Sequence, residues 1–272
     1  MPRASGVEST LQHFVGRDDD LRALSRFSLY KVMLYRTNLY THAHRTAALV
    51  RAINPTAAAV FGPSYDPRKA ETLAFIHDDA ELVFGDVQAG NKSKMTAEQL
   101  EAVRLAEMRA IQDITKRFPQ RIGRYTYGTL LQDAADHASL EAQVMCYADK
   151  YDALGEALHE VYAGNHHFTT NVTNQYGRIP TPPEYYADYF ERFAAKYPDM
   201  RPLFQTSLPM FQPVPWVNYS QIVSRYGPHT LQNLQVPTGN LHYDTWRHVV
   251  LSDTNNEVRR DLYVQKEFLE SS

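Results

Sequence analysis

Between residues 20 and 165, apolar residues return every three or four positions, the spacing that lines one face of a helix. Leu39, His42, Thr46, Leu49, Val50 and Ile53 form one such stripe, and Asn54-Pro55 is its expected stop. Asp66 reads as an N-cap, with Pro67 at the first helical position. The stripe that follows runs Ala70, Leu73, Ala74, His77, Ala80, Glu81 and Phe84. Thr96 with Glu98-Gln99 is close to a capping box and opens a third helix. The stretch from Asp136 onward is apolar almost all round, which predicts a long buried helix ending at Gly164-Asn165. A further amphipathic helix is expected from about Pro183 to Lys196.

That helix lies in a region whose character changes after Asn165. "FQTSLPMFQPVPWVNYSQ" is rich in proline and aromatics, and "LQVPTGNLHYDTWRHVVLS" alternates in places like a strand, with Thr238-Gly239-Asn240 as a turn signal. The expectation is an all-α bundle over residues 1–200. Residues 201–272 form an extension, irregular and in part β, packed on the same domain as a cover or an oligomer contact.

Composition narrows the class. The chain has 272 residues, 43% hydrophobic and 22% charged, with a formal net charge of -3. Such a balance gives no overall field for nucleic acid or an anionic membrane. One cysteine, Cys146, excludes an internal disulfide and a cysteine-based zinc motif. It reads as a small buried apolar residue. "MPRASGVEST" has no apolar core, so no signal peptide is expected. No run approaches the roughly 18 apolar residues of a membrane span. A cytoplasmic enzyme or binding protein is the expected class, acting on a small molecule; assembly as a homo-oligomer such as a dimer stays open.

The stretch "FIHDDAELVFGD" sets His77, Asp78, Asp79 and Glu81 in an apolar run. A buried acid must be paired or bound to metal, because an isolated buried charge is very costly. On helical spacing His42, His77, Asp78 and Asp149 point inward from three helices. Two imidazoles and two carboxylates suit a divalent ion such as cobalt, manganese, magnesium, iron, nickel or zinc. They leave positions open for water and a phosphate oxygen, the requirement of metal-assisted hydrolysis. Glu81, one turn after His77, is placed to orient or deprotonate the water or to protonate the leaving oxygen. An inward histidine by itself is more often a hydrogen-bonded core residue, so pattern alone leaves both readings open. "GDVQAGNKS" departs from a phosphate-binding loop, because Asn91 precedes Lys92 and the stretch follows a helix rather than a strand. His44 falls on another helical face than His42 and reads as surface or as support for a ligand.

Taken together these motifs resemble the HD superfamily of metal-dependent phosphohydrolases, and within it the bacterial 5'-deoxynucleotidase branch. His42 is followed five residues on by Ala47, and "HDDAELVFGD" matches His-Asp-x-x-Glu-x-x-x-Gly-Asp. Lys92 follows Asp86 by six positions, "ADKYDAL" resembles the third motif, and Ala163-Gly164-Asn165 closes the helix. Arg26-Phe27 occupies the place of an Arg–aromatic pair upstream of the first histidine. The resemblance covers roughly residues 20 to 165. It implies that His42, His77, Asp78 and Asp149 hold the metal and that Glu81 is the catalytic carboxylate. It further implies that Arg26 contacts phosphate, that Phe27 packs near the sugar, and that Asp86 bonds the sugar 3'-hydroxyl. Lys92 joins them at the substrate.

Two departures stand beside it. The family commonly has a glutamate before the first histidine and a small hydroxyl residue after it; here those places are Thr41 and Ala43. Their loss removes hydrogen bonds that tune ligand orientation, but no ligand. The expected reaction is hydrolysis of a (deoxy)nucleoside 5'-monophosphate. Its rivals are a triphosphate hydrolase or phosphodiesterase using the same site, and a non-catalytic nucleotide sensor.

Overall fold

The computed structural model describes residues 6–27, 30–85, 95–174, 177–215, 217–219, 221–222, 236–253, 255–263 and 268–269. Its helices are α1 (Gly6–Leu11), α2 (Arg17–Ala23), α3 (Leu39–Phe61), α4 (Pro67–Ile76), α5 (Glu81–Phe84) and α6 (Ala97–Arg117). They continue as α7 (Tyr127–Asp136), α8 (Leu140–Tyr162), α9 (Pro182–Lys196), α10 (Arg201–Phe204), α11 (Leu241–Leu251) and α12 (Asn256–Asp261). Strands among the described residues make three two-stranded antiparallel pairs. The fold class is all-α. None of the described helices is long and apolar enough to cross a membrane. The described residues fall into two compact units. One lies within Met1–Arg26, Asn38–Val87 and Met95–Asp149, the other within Phe27–Thr37 and Lys150–Ser272.

In the first unit α3 and α4 pack along their length. Asn38 caps α3, its side chain accepting from Thr41 N–H at 2.9 Å. Pro55 does not stop this helix, contrary to the expectation from Asn54-Pro55; α3 runs on to Phe61. Proline removes one intrahelical bond, but Asn54 ties the region down from outside. Its Nδ2 donates to Pro67 O at 3.1 Å, and its Oδ1 accepts from Tyr65 O–H at 2.6 Å. The stop comes instead at Gly62, whose φ of 58° suits glycine. Asp66 caps α4 as its sequence predicts, accepting from Arg68 and Lys69 N–H.

The stripe from Ala70 to Phe84 is not one helix. Helix α4 ends at Ile76, residues 77–80 form a turn, and α5 begins at Glu81. The ladder tightens there: Asp79 N–H donates to Ile76 O, Glu81 N–H to Asp78 O and Leu82 N–H to Asp79 O, each three residues back. Thr96 and Gln99 complete the capping box that opens α6. The long helix read from Asp136 starts at Leu140, because Asp136 closes α7 and His137 turns the chain at φ 51°.

In the second unit the rear half of α8 is buried on nearly every side, as its composition predicts. Thr181 and Glu184 form a capping box at the start of α9. The strand Val32–Met33 pairs with the strand Phe268–Leu269, Val32 opposite Leu269. The segment expected to alternate as strand is instead helix α11. Tyr243, Trp246 and Val250 are its fully buried positions, spaced by three and four. Packing of those side chains on α8 overrides a local alternation that is only partial. The turn signal stands: Gly239 has φ 81°, and Asn240 caps the helix by accepting from Tyr243 N–H at 3.0 Å.

Candidate metal centre

His42 lies in the second turn of α3, its N–H donating to Asn38 O at 3.1 Å. Capping by Asn38 thus fixes the turn that carries it. His77 is the C-cap of α4, its N–H reaching Leu73 O at 2.9 Å, and Asp78 follows in the turn. Asp149 comes from α8. These four side chains converge within the first unit. His42 Nε2 is 3.2 Å from His77 Nε2, 3.2 Å from Asp149 Oδ1 and 3.5 Å from Asp78 Oδ2. His77 Nε2 is 3.3 Å from Asp78 Oδ1 and 4.0 Å from Asp149 Oδ1.

The donor set fits a cation. Ligands about 2.1 Å from one ion stand about 3 Å apart when at right angles, which matches this spacing. His77 Nδ1 donates to Ala74 O at 2.9 Å, which leaves the Nε2 lone pair facing the cluster. Burial pushes the His77 imidazole below its ordinary value, against the opposing pull of Asp78 and Asp149. Neutral imidazole is the form that ligates a metal. Lone pairs of nitrogen and carboxylate oxygen packed this closely repel unless a proton or a cation lies among them. His42 and His77 are 1% and 6% exposed, while Asp78 and Asp149 are 18% and 14% exposed, so the carboxylate side of the cluster is the more open.

Glu81 opens α5 one turn beyond the His-Asp pair and is half-buried. Arg26 lies near the start of α3: Ser25 bridges Asn38, and Leu39 N–H donates to Leu24 O at 3.0 Å. Phe27 belongs to the second unit, where its buried ring meets Phe168 at 5.5 Å and Tyr30 at 6.3 Å. Its φ of 55° is unusual for a bulky side chain. Asp86 and Lys92 lie outside the described residues. His44 is mostly buried rather than on the surface, between Tyr40 and Phe75. Burial first, then Arg17, Arg51 and Arg22, push it down to about 3. Cys146 is buried, as expected.

Among the acids of "FIHDDAELVFGD", Asp79 is compensated from within the chain. Asp79 is 1% exposed and is held by Arg17, itself 3% exposed. Arg17 Nε donates to both carboxylate oxygens at 2.9 Å and Nη2 to Oδ1 at 2.7 Å. Tyr127 O–H donates to Oδ2 at 2.7 Å. Burial opposes the Arg17 charge, yet Asp79 keeps the guanidinium above its ordinary value. Sequence reasoning missed Arg17 and Tyr127. The only signal for them was the bare requirement that a buried Asp79 have a partner.

Two comparisons with known proteins bear on this site. Residues 13–197 match the model of the family described as 5'-deoxynucleotidase YfbR-like. A 5'-deoxynucleotidase of Erwinia tasmaniensis is 25% identical over 162 residues, covering 58% of this chain and 78% of that protein. With more than half of its length matched by the family model, the chain belongs to the YfbR-like 5'-deoxynucleotidase family.

Proposed function

We propose that this protein is a divalent-metal-dependent phosphomonoester hydrolase that removes the 5'-phosphate from (deoxy)nucleoside monophosphates. The observation that carries this reading is the convergence of His42, His77, Asp78 and Asp149, with donor atoms 3.2 to 4.0 Å apart, in a member of this family. Those four side chains would hold the ion. When bound, it supplies Lewis acidity, drawing charge from a phosphoryl oxygen and acidifying water.

The chain's own residues supply the rest. Arg26 presents a planar fork of donors to the phosphate oxygens and offsets their charge. Glu81 takes the proton lost by water as its oxygen bonds to phosphorus. The bond from phosphorus to the 5'-oxygen breaks, and Glu81 returns the proton to that leaving oxygen. Nucleoside and orthophosphate are the products, with no redox change. Phe27 packs against the sugar, Asp86 bonds its 3'-hydroxyl and Lys92 contributes positive charge; these three roles rest on the motif match. The hydrolase domain is assigned to residues 1–200 and the protein to the cytoplasm. The ion is a divalent transition metal or magnesium.

The test is phosphate release from a panel of nucleoside mono-, di- and triphosphates with manganese, cobalt or magnesium, each against a chelator. Chelator-sensitive release of orthophosphate from deoxynucleoside monophosphates is the expected result. Tripolyphosphate from triphosphates, with silence on monophosphates, would move the protein to another hydrolase class. Nucleotide binding without turnover by metal-loaded protein would mark it as a sensor.

A further inference from the structure

The turn that carries His77, Asp78 and Glu81 is not held by its own backbone ladder alone. An uninterrupted α-helix would give the Phe75 carbonyl to the N–H of Asp79. Here Asp79 N–H turns to Ile76 O at 2.9 Å. The Phe75 carbonyl instead accepts from Nη2 of Arg17. The same guanidinium holds the Asp79 carboxylate through Nε and Nη2, and Tyr127 O–H takes that carboxylate from α7. Arg17 therefore fills the bond that the helix gives up and grips the side chain next to a metal-binding aspartate. Arg17, Asp79 and Tyr127 are all buried. Arg17 itself is the first residue of α2, and its Nη1 also reaches Asp18 Oδ1 at 3.1 Å.

We propose that Arg17, Asp79 and Tyr127 are positioning residues for the metal centre: they lock the tightened turn at 77–80 so that the His77 and Asp78 donors face His42 and Asp149. The inference rests on the metal-site reading above and deepens it. The physical reason is that a turn of i to i−3 bonds is a poor holder of geometry, while a bidentate guanidinium fixes both a carbonyl and a carboxylate in one plane. Lysine has a single point charge and no fork, so it cannot replace arginine here. Groups that orient metal ligands typically change metal affinity about 10- to 100-fold when removed.

The experiment is titration of purified apoprotein with manganese(II) alone, read as a dissociation constant, beside far-UV circular dichroism and thermal melting. The variants are Arg17→Lys, Asp79→Asn and Tyr127→Phe. Expected are manganese dissociation constants weakened about 10- to 100-fold in Arg17→Lys and Asp79→Asn. Tyr127→Phe, which removes one of several bonds, is expected to weaken binding less, with helix content intact. Lost phosphatase rate in these variants is expected to return at saturating manganese. Should the first two variants fail to fold, Tyr127→Phe carries the test, since it deletes a single oxygen. Wild-type manganese affinity in the folded variants would overturn the inference and leave the metal site standing. No manganese binding by the wild type would overturn both.

Discussion

The indole N–H of Trp246 donates to the carboxylate of Asp152 at 2.7 Å, joining α11 to the rear half of α8 within the second unit. One turn on from Asp152 the helix carries Gly155, and the Trp246 ring lies where a Cβ would stand, with ring carbons 2.2 to 2.4 Å away. Glycine is required by this close approach rather than by backbone conformation. Gly155→Ala is expected to lower stability by about 1–3 kcal/mol, the usual range for overpacking. Urea denaturation followed by Trp fluorescence checks it. A variant as stable as the wild type would mean that the ring has free room to move.

Removal of single proposed ligands separates binding from chemistry. His77→Ala and Asp78→Ala are each expected to lose bound metal, measured by elemental analysis after dialysis. Glu81→Ala is expected to keep metal and lose about 10²- to 10⁴-fold in turnover, the range for a lost general acid–base group. Full metal content and activity in Asp78→Ala would show that the proposed centre is misplaced.

Glu160 provides a pH dependence of stability. Its buried carboxylate accepts N–H from Leu34 at 2.9 Å, from Tyr35 at 2.5 Å and from Asn165 Nδ2 at 2.7 Å. Burial raises this group to about 7 from an ordinary 4.5; the bonds from Asn165, Leu34 and Tyr35 oppose the rise, and Glu156 adds to it. Between those two values the folded state holds a proton that the unfolded state has released. Stability attributable to Glu160 is therefore full below the unfolded value and falls as pH rises toward 7. The loss is on the order of 3 kcal/mol. Denaturation of the wild type and Glu160→Gln from pH 4 to 8 is expected to show this slope in the wild type alone. Parallel curves would assign the slope elsewhere.

Asn38 links helix capping to the site. Asn38→Ala removes the side-chain acceptor of Thr41 N–H at the start of α3, one turn before His42. A loss of about 1 kcal/mol is expected. Thermal melting measures it, and an unchanged midpoint would show that the carbonyl of Asn38 alone holds the turn.

The residues that the fold brings together were legible before any fold was known. His42 stands on an apolar helical stripe, and His77 and Asp78 interrupt another, because a polar side chain turned to the interior keeps apolar neighbours. Caps at Asp66 and Thr96 were equally readable, since each acts on backbone groups two or three residues away. These features depend on neighbours in the chain.

Tertiary structure decided what depends on distant partners. The cation that compensates Asp79 comes from Arg17, 62 positions earlier, and no local rule chooses it from among the chain's arginines. Helix α3 passes through Pro55, and beside it the Asn54 side chain is anchored to Tyr65 and Pro67, contacts that no local rule supplies. Residues 241–251 became helix rather than strand because Tyr243 and Trp246 bury against α8, with His159 and Asp152 waiting there as hydrogen-bond partners. Sequence determines which chemistry is available and where the chain is able to turn. The partner of a buried charge is settled only when folding removes water and leaves one neighbour within reach.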